Sequence, residues 1–156
     1  MKKDKIKAFY GFLAGLLFLG VFAVSGCSMF LFDSVRTGDI KAVKEVLESG
    51  KNPNYSDYNG YTMLHAAAGG GQVEIIKLLI ESGAKVTVAD KTGWTPLHGA
   101  AGFGHIDAVK LLVEKGANVN ATDVDGDTPI MIASRVGNEK VVQYLLWHGA
   151  VLPANY

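Results

Sequence analysis

Apolar residues follow two different patterns along this chain. Residues 8–24 form an uncharged, mostly apolar run behind a lysine-rich start. Farther along, apolar residues recur at positions i, i+3 and i+4, a spacing that places them on one face of a helix. The two clearest groups are Ile76, Leu79 and Ile80, and Val109, Leu112 and Val113. The pattern predicts a series of short amphipathic helices behind an apolar N-terminal segment.

The helical part repeats with a period of 33 residues. Residues 61–93 (YTMLHAAAGGGQVEIIKLLIESGAKVTVADKTG) align without a gap with residues 94–126 (WTPLHGAAGFGHIDAVKLLVEKGANVNATDVDG). Residues 127–156 are a shorter further copy, and residues 29–60 are a degenerate first copy in which Leu31 aligns with Leu64. A stack of such units needs roughly three copies, because no single copy can bury its own apolar face. Four copies are therefore enough for a stable array.

The segment TPLHGAA (95–101) carries the signature T-P-L-H-x-A-A, and TMLHAAA (62–68) matches it except at Met63, which stands in place of proline. On these residues the chain resembles the ankyrin repeat family over residues 29–156. The resemblance implies an all-α repeat solenoid, in which each unit is a helix–turn–helix with a β-hairpin finger. The implied repeats are residues 29–60, 61–93, 94–126 and 127–156. It also implies that His65 and His98 hydrogen-bond to backbone between repeats.

Residues at the helix ends have definite physical roles. Threonine suits the N-cap and proline the first helical position, so Thr62, Thr95 and Thr128 should begin helices. Glycines should occupy left-handed positions between and after the helices; these are Gly38, Gly71, Gly104 and Gly137, and Gly50, Gly83, Gly116 and Gly149. In the last repeat, the family pattern predicts that Val142, Leu145 and Leu146 pack inward.

The segment VSGC (24–27) holds the only cysteine. It resembles the bacterial lipobox, in which a branched apolar residue, a small residue and Gly or Ala precede a cysteine. The resemblance implies a signal peptide over residues 1–26, cleavage between Gly26 and Cys27, and a lipidated N-terminus at residues 27–28. A thiolate is the nucleophile best suited to accept a diacylglyceryl group. An uncleaved apolar anchor and a conventional signal peptide remain alternatives, because the length of the apolar run fits both.

The charge and composition of the chain bear on where the protein is located and on which ligands it can bind. Lysines before the apolar run predict export of the remainder, and Ser28 favours the outer membrane if the cell has two. Residues 1–26 hold four lysines and one aspartate, so the rest is slightly acidic and nucleic-acid binding is not expected. A single cysteine excludes an internal disulfide and a cysteine-based zinc site.

No motif for a metal, a cofactor or catalysis is present in the sequence. The segment DVDGD (123–127) suggests calcium, but the sixth loop position of an EF-hand requires glycine, and Thr128 stands there. The glycine-rich stretches lack the lysine of a phosphate-binding loop. No nucleophile is placed beside a base by any recognisable pattern. We therefore predict no metal, no cofactor and no enzyme activity.

The ankyrin resemblance implies that a protein partner binds the concave surface formed by the fingers and the first helices. The family's variable positions correspond to Tyr58, Asn59, Tyr61, Ala66, Gly69, Lys91, Thr92, Trp94, Gly99, Phe103, Val124, Asp125, Asp127, Ile132 and Arg135. Four aromatic residues among them are suited to anchor a partner, and Asp125 with Asp127 would attract a basic segment. The alternative is that the aromatic rings only pack between fingers.

These features together predict a non-enzymatic, lipid-anchored protein-interaction module that faces the periplasm. Two narrower roles remain open. One is an inhibitor or immunity-type protein that neutralises a secreted enzyme or toxin. The other is a structural envelope protein whose N-terminal anchor is not cleaved. Because the first repeat starts about two residues after Cys27, firm lipid anchoring would place the apolar residues Phe30, Leu31 and Phe32 close to the lipid interface.

Overall fold

The computed structural model describes residues 26–153, with side chains from residue 30 onward. The chain divides into two compact units, Met1–Phe30 and Leu31–Tyr156, and the repeats lie in the second unit. Val24, Ser25 and most of the predicted signal peptide lie outside the described residues. The described part contains eight helices, which are α1 (Gly26–Thr37), α2 (Ile40–Glu48), α3 (Met63–Gly69), α4 (Val73–Glu81), α5 (Pro96–Gly102), α6 (Ile106–Glu114), α7 (Pro129–Arg135) and α8 (Glu139–Trp147).

The helices form four successive pairs, so the predicted all-α repeat solenoid is confirmed. First helices pack against first helices along the stack, as α3 does on α5 and α5 on α7. Second helices do the same, as α4 does on α6 and α6 on α8. The core lies between these two layers. The longest helix within residues 26–153 has 12 residues, and no helix there has both the length and the apolar character to cross a bilayer.

The first helix of each full repeat begins as the sequence predicts. Thr62, Thr95 and Thr128 are N-caps whose hydroxyl oxygens accept a backbone N–H three residues later. Histidine completes the cap in two repeats, since His65 Nδ1 accepts the Thr62 N–H at 3.1 Å and His98 Nδ1 accepts the Thr95 N–H at 3.0 Å. These caps satisfy backbone donors that a helix start otherwise leaves unpaired.

All eight glycines predicted at helix ends have positive φ, from 67° at Gly71 to 96° at Gly83. Gly71 shows a second reason for glycine, because a Cβ atom there would lie 2.6 Å from His105 Nδ1. That imidazole reaches across the turn, and its Nε2 lies 3.0 Å from the Gly69 carbonyl oxygen. Gln72 and Asn138 make the equivalent bonds to the repeats that precede them. The turns therefore fasten each repeat to its predecessor.

The predicted β-hairpin fingers are tight turns without strands in the described residues. Only an isolated antiparallel bridge joins Ser56 and Thr62. The Asp57 N–H donates to the Tyr61 carbonyl at 3.0 Å, and Asp57 Oδ1 accepts the N–H groups of Asn59 and Tyr61. The Asp57 carboxylate thus accepts backbone N–H groups that a β-ladder would otherwise pair, because too few residues flank the turn to form strands.

Adjacent fingers are joined by one backbone hydrogen bond each. The Lys91 N–H donates to the Asn59 carbonyl and the Val124 N–H to the Thr92 carbonyl, both at 2.8 Å. These bonds set the spacing of the fingertips. The fingers therefore form one continuous edge rather than independent loops.

One prediction about the last repeat is wrong. Val141 and Leu145 are buried, whereas Leu146 is 47% exposed. Leu146 corresponds by the 33-residue period to Ile80 and Val113, which are half-buried in the interior of the stack. Within the described residues no repeat follows α8, so nothing covers this side chain.

The first and last repeats lack the histidine that links the middle repeats to their neighbours. Phe32 and Met131 occupy the positions held by histidine in the two middle repeats. Phe32 meets the ring of Tyr61 edge-on at 5.9 Å and stacks on Tyr55 at 6.1 Å. Met131 has no donor to offer to a further repeat. Apolar side chains thus replace the polar inter-repeat bond at the first and fourth positions.

Candidate interaction surface

The base of each finger carries a side chain at the same register position, namely Tyr61, Trp94 and Asp127. The ring of Tyr61 stacks on His65 with centroids 5.1 Å apart, and that of Trp94 stacks on His98 at 5.2 Å. Both aromatic residues are half-buried. These two rings therefore pack in part against the first helix of their own repeat, whereas the predicted alternative had them packing between fingers.

The histidines under these rings connect successive repeats. His65 Nε2 lies 2.9 Å from the Trp94 carbonyl oxygen, and His98 Nε2 lies 3.1 Å from that of Asp127. Because Nδ1 accepts a backbone N–H and a carbonyl can only accept, the proton of each neutral ring must be on Nε2. This bears out the inter-repeat bonds that the family resemblance implied.

Burial sets the charge state of the same residues. Desolvation lowers the pKa of His65 and of His98 below the ordinary value of 6.5, although backbone hydrogen bonds and nearby aspartates oppose the shift. Burial also raises the pKa of Tyr61 above 10.0. At neutral pH the imidazoles are therefore neutral and Tyr61 is an uncharged phenol.

The fingertips are the most exposed part of this surface. Tyr58, Lys91 and Val124 share one register position, and all are exposed. Tyr58 has 83% of its surface exposed. Asn59, Thr92 and Asp125 follow them along the chain and are exposed as well.

Phe103 is an exposed ring on the inner face of the stack. It terminates α5 as its C-cap residue and is 71% exposed. A Cβ atom at Gly69 would lie 3.8 Å from Phe103 Cε2 and 3.9 Å from the Tyr61 hydroxyl. A Cβ atom at Gly99 would lie 3.6 Å from both Gly69 Cα and Trp94 Nε1. We call these five residues, Tyr61, Gly69, Trp94, Gly99 and Phe103, the glycine recess.

Three predicted contact residues have other surroundings than expected. Ala66 is buried, and Ile132 is only 9% exposed because it packs where Gly102 leaves space. Asp127 forms a bidentate ion pair with Arg135 at 2.7 and 2.8 Å. Its carboxylate charge is therefore already neutralised, which leaves Asp125 as the more accessible acid of that finger.

One exposed residue of the inner face was missed. Val136 is 56% exposed and follows Phe103 by one repeat period. The 33-residue register contained this signal, since it aligns Gly70, Phe103 and Val136. Exposed apolar side chains therefore occur on the inner face in both the third repeat, at Phe103, and the fourth repeat, at Val136.

A further exposed aromatic residue, Trp147, lies in the last helix and away from this face. Trp147 ends α8 and is 87% exposed, whereas the corresponding residues of the other repeats are Glu48, Glu81 and Glu114. Trp147 therefore lies at the exposed end of the stack within the described residues. Its distance from the glycine recess along the stack makes it a useful control.

The carboxylate of Asp123 in the last finger is hydrogen-bonded to backbone N–H groups of the same turn. Asp123 Oδ1 accepts the N–H groups of Asp125 and Asp127 at 3.0 and 2.9 Å. Across the described part of the chain, no three His, Cys, Asp or Glu side chains are grouped closely enough to hold a metal ion. The aspartates of DVDGD thus have a structural role in the turn.

The sequence matches none of the curated proteins. The family model described as "Ankyrin repeats (3 copies)" matches residues 31–123 and 83–155, which together cover all four helix pairs. Ankyrin repeats are protein–protein interaction modules and are generally not enzymes. The chain therefore belongs to the ankyrin repeat family.

Proposed function

We propose that this protein is a lipid-anchored interaction module that binds a protein partner on its inner, finger-lined face. The anchor would be Cys27, after removal of residues 1–26, and the array would face the periplasm from the outer membrane where the cell has two. The support for the binding face comes from the exposed side chains. The support for the anchor is the sequence VSGC and the lysine-rich, apolar segment before it.

The observation that carries the binding proposal is the exposure of Phe103 beside the glycine recess. Large aromatic side chains that remain exposed on a rigid surface are the residues most often used as anchors at protein interfaces. Phe103 does not contribute to the buried core, so its exposure has no structural explanation within the array. Tyr58 on the adjacent fingertip extends the same surface.

The anchor would hold the array close to the membrane. Only three residues separate Cys27 from Leu31, a buried residue of the core, so even a fully extended chain between them spans at most about 14 Å. Two or more acyl chains give stable membrane attachment, at about 0.8 kcal/mol per buried methylene. A partner of this module would therefore also be found at the membrane or close to it.

The binding face is tested with the double variant Phe103→Ala and Tyr58→Ala, followed by cross-linking and affinity capture from the cell envelope. Both side chains are exposed, so the variant should keep its helical content and its thermal midpoint. We expect loss of the captured partner. Trp147→Ala is the matched control, because it removes an equally exposed aromatic at the far end of the stack. Unchanged capture by the double variant would refute the proposed face.

The anchor is tested separately with Cys27→Ser, fractionation and metabolic labelling with palmitate. We expect the label to be lost, the uncleaved precursor to accumulate, and the mature membrane-bound form to disappear. A wild-type protein that takes up no label yet resists carbonate extraction would instead indicate an uncleaved apolar anchor. Neither result affects the test of the binding face.

A further inference from the structure

The glycine recess contains two hydrogen-bond donors that the fold does not use. Among the described residues, neither the Trp94 indole N–H nor the Tyr61 hydroxyl has a hydrogen-bond partner. No buried side-chain nitrogen or oxygen of the described part lacks a partner, so both groups reach the surface. Polar groups on aromatic side chains usually find a partner when they are covered. A ligand that covers the recess must therefore supply acceptors.

Each of the two donors lies beside one glycine of the recess floor. The Tyr61 hydroxyl lies near Gly69 and Trp94 Nε1 lies near Gly99, while Gly69 and Gly99 approach each other closely. Phe103 forms a further wall beside Gly69. Gly99 is buried and Gly69 is half-buried. Because Gly69 has no side chain, the backbone of a ligand can approach the floor there, beside the rings of Tyr61 and Phe103.

The recess offers little else to a ligand. None of its five residues is charged, and burial keeps the Tyr61 phenol protonated. The Gly69 carbonyl, the acceptor nearest to the floor, is engaged by His105. The Trp94 carbonyl accepts the Asp90 N–H and is engaged by His65. The surface is therefore aromatic and uncharged. Its Trp94 N–H can only donate a hydrogen bond, whereas the protonated Tyr61 hydroxyl can donate or accept one.

We propose that the glycine recess binds an extended, proline-rich segment of the protein partner in the polyproline II conformation. Proline has no N–H, so consecutive prolines present carbonyl acceptors alone, which matches the two donors. Their rings pack against aromatic planes, and the segment is ordered before binding, which lowers the entropic cost. A helix or a β-strand would present its own backbone bonds or unmatched N–H groups instead. The inference rests on the proposed binding face and names the chemistry of its ligand.

The test uses the full chain in detergent micelles and a capped polyproline peptide of about ten residues, long enough for about three turns of the helix. The two tryptophans give separate indole N–H signals in NMR spectra of isotope-labelled protein. We expect the Trp94 signal to shift as the peptide is added and the Trp147 signal to stay unchanged. A capped Gly-Ser peptide of the same length should shift neither signal.

Two conservative variants test the donors directly. Trp94→Phe and Tyr61→Phe keep an aromatic ring and remove one hydrogen bond, so each should weaken peptide binding by about threefold to tenfold. Binding of both variants is measured by calorimetry, because Trp94→Phe removes the Trp94 signal. If both variants bind the peptide as tightly as the wild-type protein does, the assignment is overturned. A Trp94 signal that does not shift in the wild-type protein would also overturn it. If an amphipathic helical peptide shifts the Trp94 signal and polyproline does not, the recess binds a helix. Loss of the envelope partner in the Phe103 and Tyr58 variant, together with failure of the peptide, would overturn only this inference.

Discussion

Two adjacent glycines, Gly69 and Gly70, should respond to alanine in opposite ways. Gly69 is the last residue of α3, and a Cβ atom there would meet its nearest neighbours at 3.8–3.9 Å, an ordinary contact distance. Alanine in a helix is more favourable than glycine by about 0.5–1 kcal/mol. Gly69→Ala should therefore raise the free energy of unfolding by up to that amount. The same methyl group occupies the floor of the recess, so partner binding should weaken.

Gly70 has a different environment. A Cβ atom at this position would overlap the Arg36 carbonyl oxygen and would lie 3.1 Å from its carbonyl carbon. This carbonyl also accepts the side-chain amide of Gln72 at 3.0 Å, so helix α1 cannot move away without losing that bond. Overpacking of this kind costs about 1–3 kcal/mol. Gly70→Ala should therefore destabilise the array.

The assay is urea unfolding of both variants followed by circular dichroism, with peptide binding measured on the folded protein by the Trp94 signal. We expect Gly69→Ala to be at least as stable as the wild type and to bind more weakly. Gly70→Ala should unfold at a lower urea concentration. If both variants lose stability equally, the recess at Gly69 is not open as described. If Gly69→Ala binds the peptide as the wild type does, its floor is not where the ligand lies.

Other variants and conditions test the remaining features. Since burial lowers the pKa of His98, the unfolded chain takes up a proton there before the folded chain does as pH falls below 6.5. The free energy of unfolding should thus be constant above about pH 7 and decrease toward about pH 5, measured by urea titration at each pH; a flat profile would show that the imidazole is not held neutral. Leu112→Ala should lower the free energy of unfolding by about 2–5 kcal/mol, because the Leu112 side chain is fully buried. Leu146→Ala should change it by less than about 1 kcal/mol. Similar losses for the two variants in thermal unfolding would contradict the observed burial. Asn120→Ala removes the hydrogen bonds to the Gly149 carbonyl and the Val151 N–H, both at 3.0 Å. The free energy of unfolding should fall by about 1 kcal/mol, and amide hydrogen exchange at Val151 should become faster. Exchange that stays slow at Val151 would contradict a role for these bonds.

The repeat architecture was predictable because its determinants are local. Threonine caps and glycines with positive φ are set by backbone geometry within a few residues, so they can be read at Thr95 or Gly83 without knowledge of neighbours. The 33-residue period then identifies the unit and its family. The lipid anchor at Cys27 remains a prediction from the sequence, since it depends on a short motif and not on the array.

The exposure of individual side chains was decided by the tertiary structure. Leu146 fits the helical pattern of a buried residue, and only the absence of a following repeat in the described chain exposes it. The carboxylate of Asp127 is paired because Arg135, at the end of α7, lies within hydrogen-bonding distance of it. The glycine recess likewise arises where residues of two repeats meet, so no single segment contains it. The sequence by itself determined the repeating unit, and the stacking of those units decided which side chains a partner can reach, because burial depends on residues a full repeat away.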